Sequence, residues 1–402
     1  MPRLLQINVT ANWGSTGKIA EQIGWCAQSR GWDSYLAYGR MMNPSKNKLI
    51  KIGSNANVYA HYAENIILDN EGLSSRRATR YFLAIIDTIK PDIVHLHNIH
   101  DHYINFRLLF RYLAEKRITV VWTQHDQWAT TGHCMYTPTD CNRWKDTCYD
   151  CPLSKWFCID QSCRNHQLKK ELLKDFQSLI IVPVSNWLAE NIRESFLKAH
   201  KMKVIHNGVD INVFYPRQSD ILDRIGISND MKIVLGVAAV WDSRKGLSDF
   251  IKLSSFLPSD EYVIVVVGKL TENITFSKGN KQILFIDRTQ DVEELAQLYS
   301  VANVFVNPTY QDNFPTTNLE ALACGTPVIT YRTGGSPESI DEKTGIVVEP
   351  GDVESLAQAI VGLKNNPLSS KDCRARAEEC FDKDKCFEKY IELYETLIQN
   401  AE

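Results

Sequence analysis

Short apolar runs rich in Val, Ile and Leu alternate with longer amphipathic stretches along nearly the whole chain, and this alternation constrains the fold most. Strand-like runs fall at 4–9, 33–38, 93–97, 119–123, 179–183 and 203–206, with helix-like segments at 18–30, 76–90, 106–116 and 186–199. The scheme then repeats, with strands at 232–237, 262–267, 283–285, 304–307, 327–331 and 345–348 and helices at 247–256, 291–300, 317–323 and 353–365. Short β-branched strands separated by helices belong to parallel sheets covered on both faces. The pattern predicts an α/β chain of two Rossmann-like domains facing across a central cleft. A length of 402 residues suits two domains better than one. Asn207-Gly208-Val209-Asp210 marks a turn and Pro216 breaks the chain, which puts the boundary between 207 and 230. The expected domains are therefore 1–207 and 208–380, with 381–402 forming a helix that returns toward the first. Open α/β sheets bind ligands beyond the carboxyl ends of their strands, so the site is expected in the cleft.

Composition narrows the classes. A formal net charge of −3 lacks the basic excess of a nucleic-acid binder, and no nucleic-acid partner is expected. No run approaches the ~20 apolar residues that span a bilayer. The start of the chain is too short and too soon polar for a signal peptide. A cytoplasmic location follows as an expectation, with the 11 cysteines mostly thiols or metal ligands.

The segment Asp312-Asn313-Phe314-Pro315-Thr316-Thr317-Asn318-Leu319-Glu320 follows a strand and carries two acids eight positions apart. Pro315 disfavours helix at Phe314 and suits a helix start. Backbone N–H groups at that start can receive a phosphate, assisted by the helix dipole. Glu320, about one turn in, can accept from a ribose diol, and Asp312 on the loop can reach sugar hydroxyls. Taken alone, the pair is equally an exposed Asp and a surface Glu.

The pair has company. Asp312 to Pro315, followed by Leu319-Glu320-Ala321-Leu322-Ala323-Cys324-Gly325-Thr326-Pro327-Val328, closely resembles the EX7E region of retaining GT-B enzymes of glycosyltransferase family 4. Gly334-Gly335-Ser336-Pro337-Glu338, Thr344-Gly345, Lys245-Gly246 and Gly14-Ser15-Thr16-Gly17 match further landmarks, so the resemblance spans residues 4 to about 362. It implies a hexosyltransferase that takes a UDP- or GDP-linked sugar and needs no catalytic metal. Its acceptor would be a saccharide, lipid-linked in surface polysaccharide or capsule synthesis. Donor contacts would come from Gly14, Ser15, Thr16, Gly17, Asn313, Phe314, Pro315, Thr316, Thr317 and Glu320. His125, Arg244, Lys245 and Asp312 would be catalytic, with Asn12, Trp13 and Asp126 on the acceptor side. Two departures stand out: Asp312 replaces the usual Glu, and Val240 replaces an Arg five residues before Lys245. Arg244 is the substitute cation, since a guanidinium and an ammonium can stabilise a leaving diphosphate without metal. Asp382-Lys383-Asp384 is the only D-x-D and lies near the C-terminus.

His95, His97, His100 and His102 cluster at a strand end and are assigned a structural or acceptor-side role. Cys134, Cys141, Cys148 and Cys151 form C-x6-C-x6-C-x2-C inside an insertion at about 133–163, with Cys158 and Cys163 beyond it. Four thiolates suit a structural zinc, with His133 an alternate ligand; free thiols, disulfides or an iron–sulfur centre remain open. Segments 105–117 and 162–174 are basic, and suit either peripheral contact with an anionic membrane or ordinary surface helices. The competing functions are a GT-B-like nucleotide-sugar epimerase and a zinc-organised binding protein with a degenerate site.

Overall fold

The computed structural model describes residues 1–138, 140–154, 158–271 and 282–400. Positions 139 and 155–157 of the Cys-rich insertion and 401–402 of the C-terminal segment lie outside the described residues. The chain divides into two compact units, Met1–His206 with Phe387–Glu402, and Asn207–Cys386.

The first unit carries β1 (Arg3–Asn8), α1 (Gly14–Ser29), β2 (Asp33–Tyr38), β3 (Lys48–Lys51), α2 (Asn55–Leu68), α3 (Arg76–Ile89) and β4 (Ile93–Leu96). It continues through α4 (Phe106–Glu115), β5 (Thr119–Gln124), α5 (Ser162–Leu173), β6 (Leu179–Pro183), α6 (Asn186–Arg193) and β7 (Lys201–Met202). All strand pairs are parallel, in the order β3-β2-β1-β4-β5-β6-β7. The strands at 4–9, 33–38, 93–97, 119–123 and 179–183 stand where their apolar runs predict them. The sixth is shorter and earlier than 203–206, because only Lys201 and Met202 pair with β6. β3 and α2 had no strong periodic signal. β3 is a Lys-flanked edge strand, and α2 buries only Val58, His61 and Asn65.

The second unit carries α7 (Ile221–Arg224), β8 (Lys232–Trp241), α8 (Leu247–Leu253), β9 (Tyr262–Leu270), β10 (Ile283–Ile286), α9 (Val292–Val301) and β11 (Val304–Asn307). It ends with α10 (Thr316–Ala323), β12 (Val328–Tyr331), β13 (Gly345–Val348), α11 (Val353–Asn365), α12 (Ser370–Cys380) and the start of α13 (Lys383–Gln399). Its sheet is also parallel, ordered β10-β9-β8-β11-β12-β13. Val234, Ile264, Val266, Val306 and Ile329 pack from the strands against Phe250, Leu253, Leu356 and Ile360 of α8 and α11. Among the described residues no helix is long and apolar enough to cross a membrane.

The strand order reverses between β1 and β4 in the first unit, and between β8 and β11 in the second. At such a switch point the connections leave in opposite directions and open a crevice beyond the carboxyl ends. The segments concerned are Ala11–Gly17 and the β4 exit in one unit, and 242–246 and 308–315 in the other. Most of the predicted site residues lie on these stretches.

Candidate active site

In the second unit the polypeptide leaves β8 at Trp241 and makes a single 3-10 turn, Ser243–Lys245. Asp242 caps that turn, accepting from Arg244 N at 2.9 Å. Gly246 follows at φ +74°, and a Cβ there would stand 2.1 Å from the Pro308 carbonyl oxygen. Only glycine combines a left-handed backbone with so close an approach. The β11 exit loop is thereby clamped to the β8 exit loop, and the Tyr310 N–H donates to the Arg244 carbonyl at 2.7 Å. Gly334, at φ +54°, approaches from the other side: a Cβ there would lie 1.7 Å from the Asp312 carbonyl oxygen. The glycine landmarks of the sequence are the supports of the Asp312 loop.

The Lys245 ammonium donates to Asp312 Oδ2 at 2.7 Å, with both side chains partly exposed. Arg244 turns back on Asp242, its NH2 donating to Oδ2 at 2.6 Å. The two cations expected to act together are therefore held by different carboxylates. Val240, where an Arg was anticipated, is 41 % exposed beside a bulge in β8.

α10 begins at Thr316 with Pro315 as its N-cap, at φ −71° and ψ 118° and with no side-chain cap. Its first-turn N–H groups are thus left for an acceptor from outside the helix. Thr316, Thr317 and Glu320 are partly exposed. Phe314 is buried against Phe381, with ring centroids 5.7 Å apart, so its side chain belongs to the core rather than to a ligand surface. Asn313 is buried as well. Glu320 Oε2 accepts from the Tyr299 hydroxyl at 3.0 Å. Burial, with Glu320 alongside, holds the Tyr299 phenol protonated well above its ordinary range. A buried amide ladder sets the helix on the sheet: Asn307 donates to Asn318 at 2.8 Å, and Asn318 donates to Ser339 at 2.9 Å. Asn307, Asn318 and Tyr299 carried no signal in the sequence, since a buried amide or phenol looks like any other until its partners are known.

In the first unit Gly14–Gly17 forms the opening turn of α1 rather than a loop ahead of it. Gly14 sits at φ +66° with nothing within 4 Å of its missing Cβ, whereas a Cβ on Gly17 would meet Thr10 Oγ1 at 2.6 Å. Ser15 is exposed, and Thr16 Oγ1 accepts from Asn8 at 3.4 Å. Asn12 is committed locally, donating to the Pro44 carbonyl at 2.7 Å, and Trp13 is 44 % exposed at the helix start.

His125 lies just past β5 in an ordered chain of side chains. Gln6 Nε2 donates to the Ala20 carbonyl at 2.8 Å, which turns Gln6 Oε1 toward His97 Nε2 at 3.1 Å. His97 Nε2 must then carry the proton, leaving Nδ1 as acceptor for His125 Nε2–H at 3.1 Å. His125 is fixed as the Nε2–H tautomer. Burial depresses its pKa to about 4 and holds His95 and His97 well below their ordinary value, so the imidazoles are neutral near pH 7. Next door, Asp126 accepts from His100 at 2.8 Å and from the Trp128 N–H at 2.9 Å. Burial opposes charge on His100, but Asp126 and Asp101 outweigh it and raise its pKa well above the ordinary value. The Asp126 carboxylate, expected on the acceptor side, is engaged in holding its own turn.

Cys134, Cys141, Cys148 and Cys151 line one small cavity, while Cys158 is exposed. In α4, Phe106, Leu109, Phe110 and Leu113 are buried, leaving Arg107 and Arg111 outside. α5 buries Ser162, Asn165, His166, Lys169 and Leu173. The apolar stripe that made α4 amphipathic is already packed, and the face that α5 buries is mostly polar.

The family described as Glycosyltransferase Family 4 matches residues 18–213, and that described as Glycosyl transferases group 1 matches 218–380. A putative colanic acid biosynthesis glycosyl transferase, WcaC of Escherichia coli K12, is 23% identical over 98% of this chain and 100% of its own. The UDP-Gal:alpha-D-GlcNAc-diphosphoundecaprenol alpha-1,3-galactosyltransferase of Escherichia coli is 25% identical over 52% of this chain and 59% of its own. Among solved structures, sucrose-phosphate synthase from Thermosynechococcus elongatus superposes with a TM-score of 0.74 at 20% identity, covering 100% of both chains. The chain belongs to the family 4 glycosyltransferases, with a family 4 amino-terminal region and a group 1 carboxyl-terminal region on the GT-B fold.

Proposed function

We propose that the protein moves a hexose from a UDP- or GDP-linked donor to a saccharide acceptor, lipid-linked, in surface polysaccharide assembly, with retention at the anomeric carbon. The observation that carries the reading is the Lys245–Asp312 pair at the switch point of the second unit, on the loop that leads into the uncapped start of α10. Diphosphate oxygens suit the N–H groups of that first turn and the Lys245 ammonium. Glu320, one turn further, suits the ribose diol, with Tyr299 orienting its carboxylate. Asp312 is shorter than Glu and suits a sugar hydroxyl close to the loop.

Retention follows if both bond changes occur on one face of the sugar. The bond from the anomeric carbon to the diphosphate oxygen breaks while the bond to the acceptor oxygen forms. The acceptor's proton passes to the departing phosphate oxygen. Lys245 and the α10 amides hold the negative charge as it develops, where preorganised donors act most strongly. His125, neutral and locked in one tautomer, suits the sugar hydroxyls near the β5 exit without adding charge there.

The colanic acid and diphosphoundecaprenol relatives support the polysaccharide setting and the lipid-linked acceptor. A lipid-linked acceptor brings the enzyme to a membrane surface. The exposed Arg107 and Arg111 of α4 suit an electrostatic contact with anionic headgroups. Incubation with each UDP- and GDP-hexose and a polyprenyl-diphosphate sugar tests the whole reading. Nucleoside diphosphate release with an α-linked product from an α-linked donor supports it; donor conversion without acceptor, as an epimerase would give, contradicts it.

A further inference from the structure

Among the described residues, the insertion after β5 holds a cluster of soft ligands that the transferase chemistry does not use. Among its described residues, regular structure before α5 is confined to short turns such as Arg143–Lys145, with Trp144 the main apolar anchor. A segment with so little core of its own needs a cross-link to keep a single shape. Cys134, Cys141, Cys148 and Cys151 line one cavity of about 10 Å³, and Cys134, Cys151 and His133 bring their ligand atoms within 4.8 Å of one another beside it.

The spacing discriminates between chemistries. Cys134 Sγ and Cys151 Sγ are 3.7 Å apart, far beyond a disulfide's ~2.05 Å bond. A tetrahedron with Zn–S bonds of about 2.3 Å has an edge of about 3.8 Å, which the observed separation matches. His133 Nε2 lies 3.1 Å from Cys151 Sγ. His133, Cys134 and Cys151 offer ligand atoms that all lie within 4.8 Å of one another, which places His133 as a ligand beside the two thiolates. Its Nδ1 is held at 3.0 Å by the fully buried Asp69, the kind of outer partner that orients a ligand. Lys169, buried, donates to the Trp128 and Thr131 carbonyls at 2.7 and 3.0 Å and fixes the chain that leads to Cys134.

We propose that Cys134, Cys151 and His133, joined by a thiolate from Cys141 or Cys148 of the same cavity, bind one Zn²⁺ that holds the His125–Gln127 turn in position. The connection is short. Thr131 Oγ1 donates to the Cys134 carbonyl at 2.6 Å, and the Gln127 N–H donates to the Met135 carbonyl at 2.9 Å. The Gln127 side chain in turn accepts from the N–H and the hydroxyl of Thr137 at 2.8 and 3.0 Å. The chain around Cys134 is thus laid back on Gln127, two residues from His125. The zinc ligands are positioning residues for the β5 exit, not catalytic ones.

The test begins with native full-length protein, purified without added zinc or chelator. Elemental analysis is expected to give about one zinc per chain. Exchange with Co²⁺ is expected to give the intense visible bands and sulfur-to-metal charge transfer of a tetrahedral thiolate site. Zinc far below stoichiometric with four titratable thiols overturns the proposal. So does a mass deficit of four hydrogens from two disulfides, or the absorption of an iron–sulfur cluster. Cys158→Ser is expected to retain the metal, and Cys151→Ser and His133→Gln to lose it or shift the cobalt spectrum. A wild-type cobalt spectrum in His133→Gln overturns the ligand set. Because a serine variant can fail to fold, slow chelation of the wild type supplies the functional arm. Transfer activity is expected to fall together with the hydrogen-exchange protection of Gln127, while the second unit keeps its nucleotide affinity. Unchanged activity in metal-free protein overturns the positioning role.

Discussion

Lys245 Nζ and Asp312 Oδ2 stand 2.7 Å apart, on the loops that leave β8 and β11, at the point where the strand order of the second sheet reverses. Both side chains are partly exposed, so the pair stabilises the fold by no more than about 1 kcal/mol. Its value lies in a cation held ready beside a helix start. Lys245→Met is expected to lower kcat by about 10²–10³-fold, the cost of removing one preorganised donor to developing charge. Circular dichroism and the unfolding midpoint are expected to stay near wild type. A variant with wild-type kcat counts against the assignment.

Gly334 makes a sharper structural prediction. A methyl group there meets the Asp312 carbonyl at 1.7 Å on a backbone with positive φ, and neither can yield cheaply. Gly334→Ala is expected to push the Asp312 loop aside and abolish transfer, and Gly335→Ala to be milder because Gly335 has φ −84°. Equal activity in the two variants would remove the argument.

The histidines predict how stability responds to pH. His125 and His61 are lowered to about 4, chiefly by burial, and His95 and His97 are also lowered. The unfolded chain takes up protons below about pH 6.5 that the native state refuses. Stability from these groups is therefore complete above that value and is lost as pH falls toward 4. His100, raised by Asp126 and Asp101, works in the opposite direction, its contribution being complete below pH 6.5 and lost as pH rises through its native pKa. Urea midpoints are expected to drop steadily from pH 7 to pH 5. A flat or rising profile contradicts the neutral assignment of the stacked imidazoles.

Much of this was legible in the chain. Eleven strands sit where the apolar runs predict them to within a few residues, because parallel strands buried on both faces leave an unbroken hydrophobic trace. The Asp312 loop was legible through its proline and glycines, which encode turns and close approaches directly. The rest depends on partners far away in sequence. The Asn307–Asn318–Ser339 ladder joins polar residues that look like surface ones. The Gln6–His97–His125 chain crosses three strands, and its protons follow only from knowing which Gln6 atom faces Ala20. The amphipathic appearance of α4 was real, but it faced the sheet.

Membrane contact, if carried by Arg107 and Arg111 of α4, is electrostatic and short-ranged. Flotation with anionic vesicles is expected at low ionic strength and to fade as salt shortens the Debye length from about 30 Å at 0.01 M to about 8 Å at 0.15 M. Neutral vesicles are expected to bind nothing. Salt-resistant binding to neutral lipid instead points to an apolar contact elsewhere.

Thermal unfolding with nucleotides tests most directly whether the α10 start, Lys245 and Glu320 form a nucleoside diphosphate site. A ligand at 100 times its Kd adds about 2.7 kcal/mol to the native state. UDP or GDP is expected to raise the Tm of wild type by several degrees, and the gain is expected to vanish in Glu320→Ala. Indifference of the wild type to every nucleoside diphosphate, or an equal shift in Glu320→Ala, contradicts the account.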